Sequence, residues 1–130
     1  MDITMFDTKI AIVLRDDLAQ WQSLNVTAFL SGGLVGQAPS LIGEPYIDAQ
    51  ENEYNALIRQ PIMVLAANAE TLARVLSRAI SRNVKCSAYI EDMFATGHDS
   101  ANRQVFAAYG PGEAPIAGIA LPSAQKSVRK

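Results

Sequence analysis

Apolar positions along the chain change period several times, and each change predicts an element. "KIAIVLRDDL" holds a continuous β-branched run from Ile10 to Leu14 between charged flanks, the pattern of a strand buried on both faces. From about Leu24 to Val35, spacings of three and four link Val26, Phe29, Leu30, Gly33 and Leu34 into one helical stripe, with Ser23 or Asn25 as N-cap. Gly32 and Gly33 each cost such a helix about 1 kcal/mol relative to alanine, which points to close packing or a pocket wall. Ile62 to Ala66 is a second apolar strand, placed inside the sheet. Asn68 then caps a helix faced by Leu72, Val75, Leu76, Ala79 and Ile80, with Glu70 and Arg74 spaced for an ion pair.

Asn83 suits a left-handed helix end, and "VKCSAYI" alternates Val84, Cys86, Ala88 and Ile90 toward one face as a third strand. The prolines and glycines between 36 and 60 predict an edge segment or short hairpin. "QVFAAYGPG" predicts a fourth strand stopped by Gly110, Pro111 and Gly112, and "EAPIAGIAL" a short helix with Pro115 in its first turn. Strands alternating with crossover helices imply a three-layer α/β/α sandwich around a mixed, mostly parallel sheet of about four strands. Residues 1–121 form the expected single domain and 122–130 a polar C-terminal tail.

Composition narrows the function classes. The 130 residues are 49% hydrophobic, enough for one sizeable core. Residues 1–125 carry 8 basic against 13 acidic side chains, the wrong sign for a strong phosphate-backbone binder. A single cysteine, Cys86, and a single histidine, His98, leave no internal disulfide and no paired-histidine or multi-cysteine metal site. Cys86 is expected as a small core residue. Asp16 and Asp17 are adjacent and point different ways, so no metal is expected, and "GGLVG" lacks the lysine and spacing of a phosphate loop. No cofactor is implied. The short apolar run after an acidic N-terminus matches neither a signal peptide nor a membrane span, so a soluble cytoplasmic protein is expected.

Two sets of residues carry a resemblance. Asp92, Thr96, Gln104 and "YGPG" at 109–112, with Arg15, Asp17 and Leu18 in "IVLRDDL", resemble type-two peptidyl-tRNA hydrolases. The chain is still more similar to the bacterial domain-of-unknown-function family 2000, through "IVLRDDL", "NVTAFLSG", "LIGEPYID" and "PIMVLAANAETLARVL". The resemblance implies the hydrolase-like scaffold. It also exposes a departure: where the hydrolases place a glycine-lysine pair and, nine residues beyond the lysine, a histidine, this chain has Trp21, Gln22 and Ser31. A cation there would hold phosphate or a developing oxyanion, and an imidazole would orient or deprotonate water. Without them, cleavage of peptidyl-tRNA and binding of tRNA are not expected.

Asp92 and Thr96 correspond to site residues of those hydrolases, at a strand exit where open α/β sheets bind ligands. Trp21, Asn25, Ser31, Asp92 and Thr96 are therefore the candidate ligand-binding residues, for a small polar ligand or a peptide end. The local alternative makes Asp92 a turn residue and Thr96 a cap, with Glu91 solvated and His98 an exposed loop histidine. A hydrolase rebuilt around Ser31 or an Asp92-activated water is the second reading. A sheet of this kind leaves an edge or helix face for self-association, so a homodimer is expected.

Overall fold

The computed structural model describes residues 10–110 and 112–121. Its elements run β1 (Ile10–Arg15), α1 (Gln20–Gln37), a 3₁₀ turn (Pro39–Leu41), β2 (Tyr46–Ile47), β3 (Glu53–Tyr54), β4 (Ile62–Ala67), α2 (Ala69–Ser81), β5 (Ser87–Ile90), a 3₁₀ turn (Glu91–Ala95), α3 (Asp99–Ala107) and β6 (Ile116–Leu121). Four strands make an open mixed sheet in the order β4-β1-β6-β5, and β2 with β3 forms a separate hairpin. The polar tail expected at 122–130 and Pro111 of the expected Gly-Pro-Gly stop lie outside the described residues.

Helices cover both faces of this sheet. On one side Val26, Leu30 and Leu34 of α1 pack on Ile10, Ile12 and Leu14 of β1 and on Tyr89 of β5. On the other, Leu72, Leu76 and Ala79 of α2 pack on Val13, Ile119 and Leu121. The continuous run in β1 is thus explained by its position: alternate residues feed two cores, and the strand lies between β4 and β6. α2 starts as expected, with Asn68 Oδ1 accepting the Thr71 N–H at 2.8 Å, and ends with Asn83 at φ 55°. Arg74 reaches the Thr71 hydroxyl.

Several expectations need correction. Ile116–Leu121 is a strand, not a helix, and it holds the position between β1 and β5, antiparallel to both. Six consecutive buried residues fit a two-faced inner strand, and a short apolar run has no period that separates strand from helix. The expected fourth strand from Gln104 is instead the end of α3, whose Asp99–Arg103 ion pair one turn apart marks it as helical. As a result the sheet is not mostly parallel. β1 with β4 is parallel, while β1 with β6 and β5 with β6 are antiparallel.

β4 was expected inside the sheet, yet among the described residues it is an edge. Ile62, Met63, Val64 and Leu65 are 36%, 46%, 49% and 48% exposed. α1 also begins earlier than its stripe suggested. Ala19, rather than Ser23 or Asn25, is its N-cap, and the Gln22 side chain reaches back to accept the Ala19 N–H at 2.9 Å. In β5, Val84 and Cys86 before the strand face the α2 side, but Tyr89 faces α1, and a register shift separates Tyr89 from Ile90.

One glycine sets the distance between α1 and the sheet. Gly118 of β6 lies in register between Leu14 of β1 and Tyr89 of β5. A Cβ there would stand 2.6 Å from Val26 Cγ1 and 3.2 Å from Leu30 Cδ1. The missing side chain lets α1 settle onto the strand, and α1 carries one wall of the candidate site.

Candidate ligand-binding cleft

The cleft lies between α1 and the segment from Met93 to Ala107, over Tyr89 of β5. It has two adjoining cavities. One, about 300 Å³, is lined by Trp21, Asn25, Tyr89, Thr96, His98 and Asn102 among others. The second, about 370 Å³, is more apolar, with Leu30, Ala88, Met93, Phe106 and the backbone of Gly33 in its wall. Phe29, Tyr89, Met93, Asp99 and Asn102 border both, so the two lie side by side. Gly33 lines the second cavity, and Gly32 and Gly33 together line a further, open recess beside Phe29, where a Cβ on Gly32 would meet nothing within 4 Å.

An aromatic chain forms much of the lining. Trp21 meets Phe94 edge to face at 5.6 Å, Phe94 meets Tyr89 at 5.2 Å, and Tyr89 meets Phe29 at 5.6 Å. Trp21 itself is 60% exposed and stands at the rim. The polar groups are placed by local structure. Asn25, in the second turn of α1, donates its amide N–H to the Tyr89 hydroxyl at 3.2 Å. Burial pushes the Tyr89 phenol up, partly opposed by that hydrogen bond. The phenol therefore keeps its proton, which is available as a donor.

His98 is the N-cap of α3. Its Nδ1 accepts the Ala101 N–H at 3.3 Å and lies 2.9 Å from the Ser100 hydroxyl. A ring that accepts a backbone donor on Nδ1 carries its proton on Nε2, which is then the ring's hydrogen-bond donor. Thr96 Oγ1 is within hydrogen-bonding reach of the Met93 carbonyl at 3.0 Å and of Asn102 Oδ1. Its single proton serves one at a time, and the pair locks α3 against the preceding turn.

Of the five residues expected from sequence, the fold brings Trp21, Asn25 and Thr96 to one cavity. Asp92 lines neither cavity described above; both carboxylate oxygens accept the Tyr109 hydroxyl, at 2.9 and 3.1 Å. Ser31 also lines neither, because six residues past Asn25 is roughly 240° farther round a helix. His98, Asn102, Tyr89 and Phe29 were missed as lining residues. Reading 104–109 as a strand hid the helix that carries Asn102, although Asp99 and Arg103 one turn apart signalled it.

Beside the cleft, Arg15 at the end of β1 holds Asp17 and Glu91, each at 2.6 Å. Burial alone would pull the Arg15 guanidinium down, but its hydrogen bonds to both carboxylates carry it above its ordinary value. That hydrogen bond also lowers Asp17. The arrangement ties the C-terminal ends of β1 and β5 together and leaves the guanidinium engaged. Among the described residues no group of three or more His, Cys, Asp or Glu side chains is placed to hold a metal ion, and no helix is long and apolar enough to cross a membrane. Burial raises the Cys86 thiol, consistent with a packing role rather than a thiolate nucleophile.

The fold and cleft define a mixed α/β protein with helices on both sheet faces and a concave site between a helix and a strand exit. The chain belongs to the DUF2000 family, described as a protein of unknown function, whose model matches residues 8–130. It is similar to a solved protein of unknown function from Agrobacterium tumefaciens strain C58, at 55% identity and a TM-score of 0.92, covering 95% of this chain and 92% of the other. No curated protein matches it.

Proposed function

We propose that this protein is a non-hydrolytic ligand-binding relative of type-two peptidyl-tRNA hydrolases that uses the cleft between α1 and α3. The observation that carries the reading is the meeting of Trp21, Asn25 and Thr96, from two distant parts of the sequence, around one cavity that adjoins a more apolar one. A concave site with an apolar body and a few placed polar groups suits a small molecule. The Tyr89 hydroxyl and the His98 Nε2–H are donors by the arguments above, and the Trp21 indole N–H is a third. The ligand is therefore a small polar compound or peptide end with a carbonyl or carboxylate acceptor and an apolar portion.

The alternative, a hydrolase with rebuilt residues, gains from one observation: His98 shares the cavity with Thr96. It is weakened because the Nδ1 lone pair already accepts the Ala101 N–H. Ser31 and Asp92, the other candidates, lie outside the cavities described, and the acidic composition disfavours tRNA. Incubation of the full chain with peptidyl-tRNA tests this. No turnover is expected, and tRNA should not bind even at low salt. Robust turnover that disappears in His98→Ala protein would overturn the proposal in favour of the hydrolase.

A further inference from the structure

The exposed strand β4 has a defined set of open hydrogen-bonding positions. The Ala67 carbonyl accepts the Asp16 N–H at 2.8 Å, so Ala67 points its backbone groups toward β1. Backbone direction alternates along a strand, so Met63 and Leu65 also face β1, while Ile62, Val64 and Ala66 present their N–H and C=O outward. Among the described residues no strand lies beyond them. Of β4, only Ala67 packs against either core cluster, so helices α1 and α2 leave the strand's side chains half-exposed on both faces.

Nothing in the run from Ile62 to Ala67 defends this edge: it contains no charge, no proline and no bulge. Pro61 sits just before it, where a missing N–H interrupts no pairing.

From this geometry we infer that β4 pairs antiparallel with β4 of a second copy of this chain, with Val64 beside its own counterpart on the two-fold axis. Strand chemistry selects both the partner and the register. A two-fold axis normal to the sheet preserves its faces, so opposed residues must share a face, and Val64 against Val64 meets that condition. The same register sets Ile62 against Ala66 and Met63 against Leu65, apolar on apolar, with large side chains beside small ones on the outward-facing pairs. All three outward backbone sites are then used, giving roughly six inter-strand hydrogen bonds.

Centring on Leu65 instead would oppose Ile62 to Asn68, whose side chain and carbonyl are committed to capping α2. The uncharged strand is also its own best match, because it meets a copy with no charge to desolvate. The product is a closed pair with a continuous eight-stranded sheet, and its interface, dominated by one strand, is below the standard size of about 1,200–2,000 Å². Association is therefore concentration-dependent.

Sedimentation velocity of the full chain, from low micromolar to several hundred micromolar, tests the inference alongside Val64→Lys and Val64→Glu proteins. Val64 is half-exposed, so far-UV circular dichroism should match wild type in both variants. The wild-type mass should climb toward twice the monomer with concentration. Each variant alone should stay monomeric, since like charges would meet at the axis, and an equimolar mixture of the two should dimerise again. A wild-type chain that remains monomeric throughout overturns the inference, and protected amides at Ile62, Val64 and Ala66 in that monomer would show that part of the same chain covers the edge. Variants that dimerise like wild type place the interface elsewhere. Monomeric variants whose mixture stays monomeric contradict the Val64-centred pairing.

Discussion

The Asp92 carboxylate accepts the Tyr109 hydroxyl on both oxygens, joining the turn after β5 to the segment after α3. Asp92 is thereby an anchor for the outer wall of the cleft rather than part of its lining.

Asp92→Asn protein should show a lower Tyr109 pKa. The hydrogen bond to Asp92 is the largest cause holding that phenol above its ordinary value, followed by burial and the nearby charges of Asp92 and Glu91. Because the folded-state value is raised, the contact's contribution is complete below the unfolded tyrosine pKa of about 10 and is lost as pH rises through the folded value. Ring-carbon NMR titration of Tyr109 reads the shift. Ligand binding in the cleft should survive the substitution, while the urea midpoint falls without a change in slope.

Gly118→Ala should destabilise the protein by about 1–3 kcal/mol, the usual range for overpacking a tight core. The added methyl would stand 2.6 Å from Val26 Cγ1, a distance that real Cβ atoms essentially never show, and 3.2 Å from Leu30 Cδ1, which is tight enough that Leu30 must shift. Adding Val26→Ala should recover part of the loss by making room. Urea unfolding of the single and double variants measures both effects, and a neutral Gly118→Ala would mean that α1 does not lie this close to β6.

Much of the first two-thirds of the fold was legible because its signals were local. The charge-bounded run of β1, the Asn68 cap and the left-handed Asn83 each carry their own physical cause. The C-terminal third was read in reverse, strand for helix and helix for strand. Its decisive facts are tertiary: Ile116–Leu121 needs neighbours on both edges, and α3 buries none of its residues fully, so no apolar stripe announced it. The edge position of β4 was hidden for a related reason, since an apolar run looks alike whether its outer neighbour exists or not. Site residues on α1 depended on helical phase, which separates Asn25 from Ser31, and the aromatic chain through Phe94 and Tyr89 has no sequence spacing that reveals it.

The β2–β3 hairpin should weaken under acid conditions. Asp48 Oδ1 accepts the N–H groups of Gln50 and Asn52, and Oδ2 accepts the Asn52 amide and the Tyr54 hydroxyl. These bonds, led by the Asn52 backbone N–H, hold the carboxyl at about 2. A depressed pKa means that the contribution is complete above the unfolded value of about 3.9 and is lost as pH falls through the folded one. The Asn52 amide proton shift should therefore be flat from neutral pH to about pH 4 and move steeply toward pH 2. In Asp48→Asn protein that low-pH step should vanish. A midpoint near the ordinary aspartate value in the wild type would refute the turn geometry.

The central claim is that the cleft under Trp21 receives a small ligand. The most direct measurement is two-dimensional ¹H–¹⁵N NMR of the full chain against a library of small aromatic and aliphatic carboxylates, amides and short peptides. The account predicts saturable shifts in the Trp21 indole N–H, the Asn25 side-chain amide and the backbone amides of Phe29, Thr96 and Asn102. Asn25→Ala should weaken the best hit by about 1 kcal/mol, near five-fold, through loss of its polar contact and of the Tyr89 orientation. A library with no saturable hit, or one whose hits shift residues outside the cleft and ignore Asn25→Ala, would contradict it.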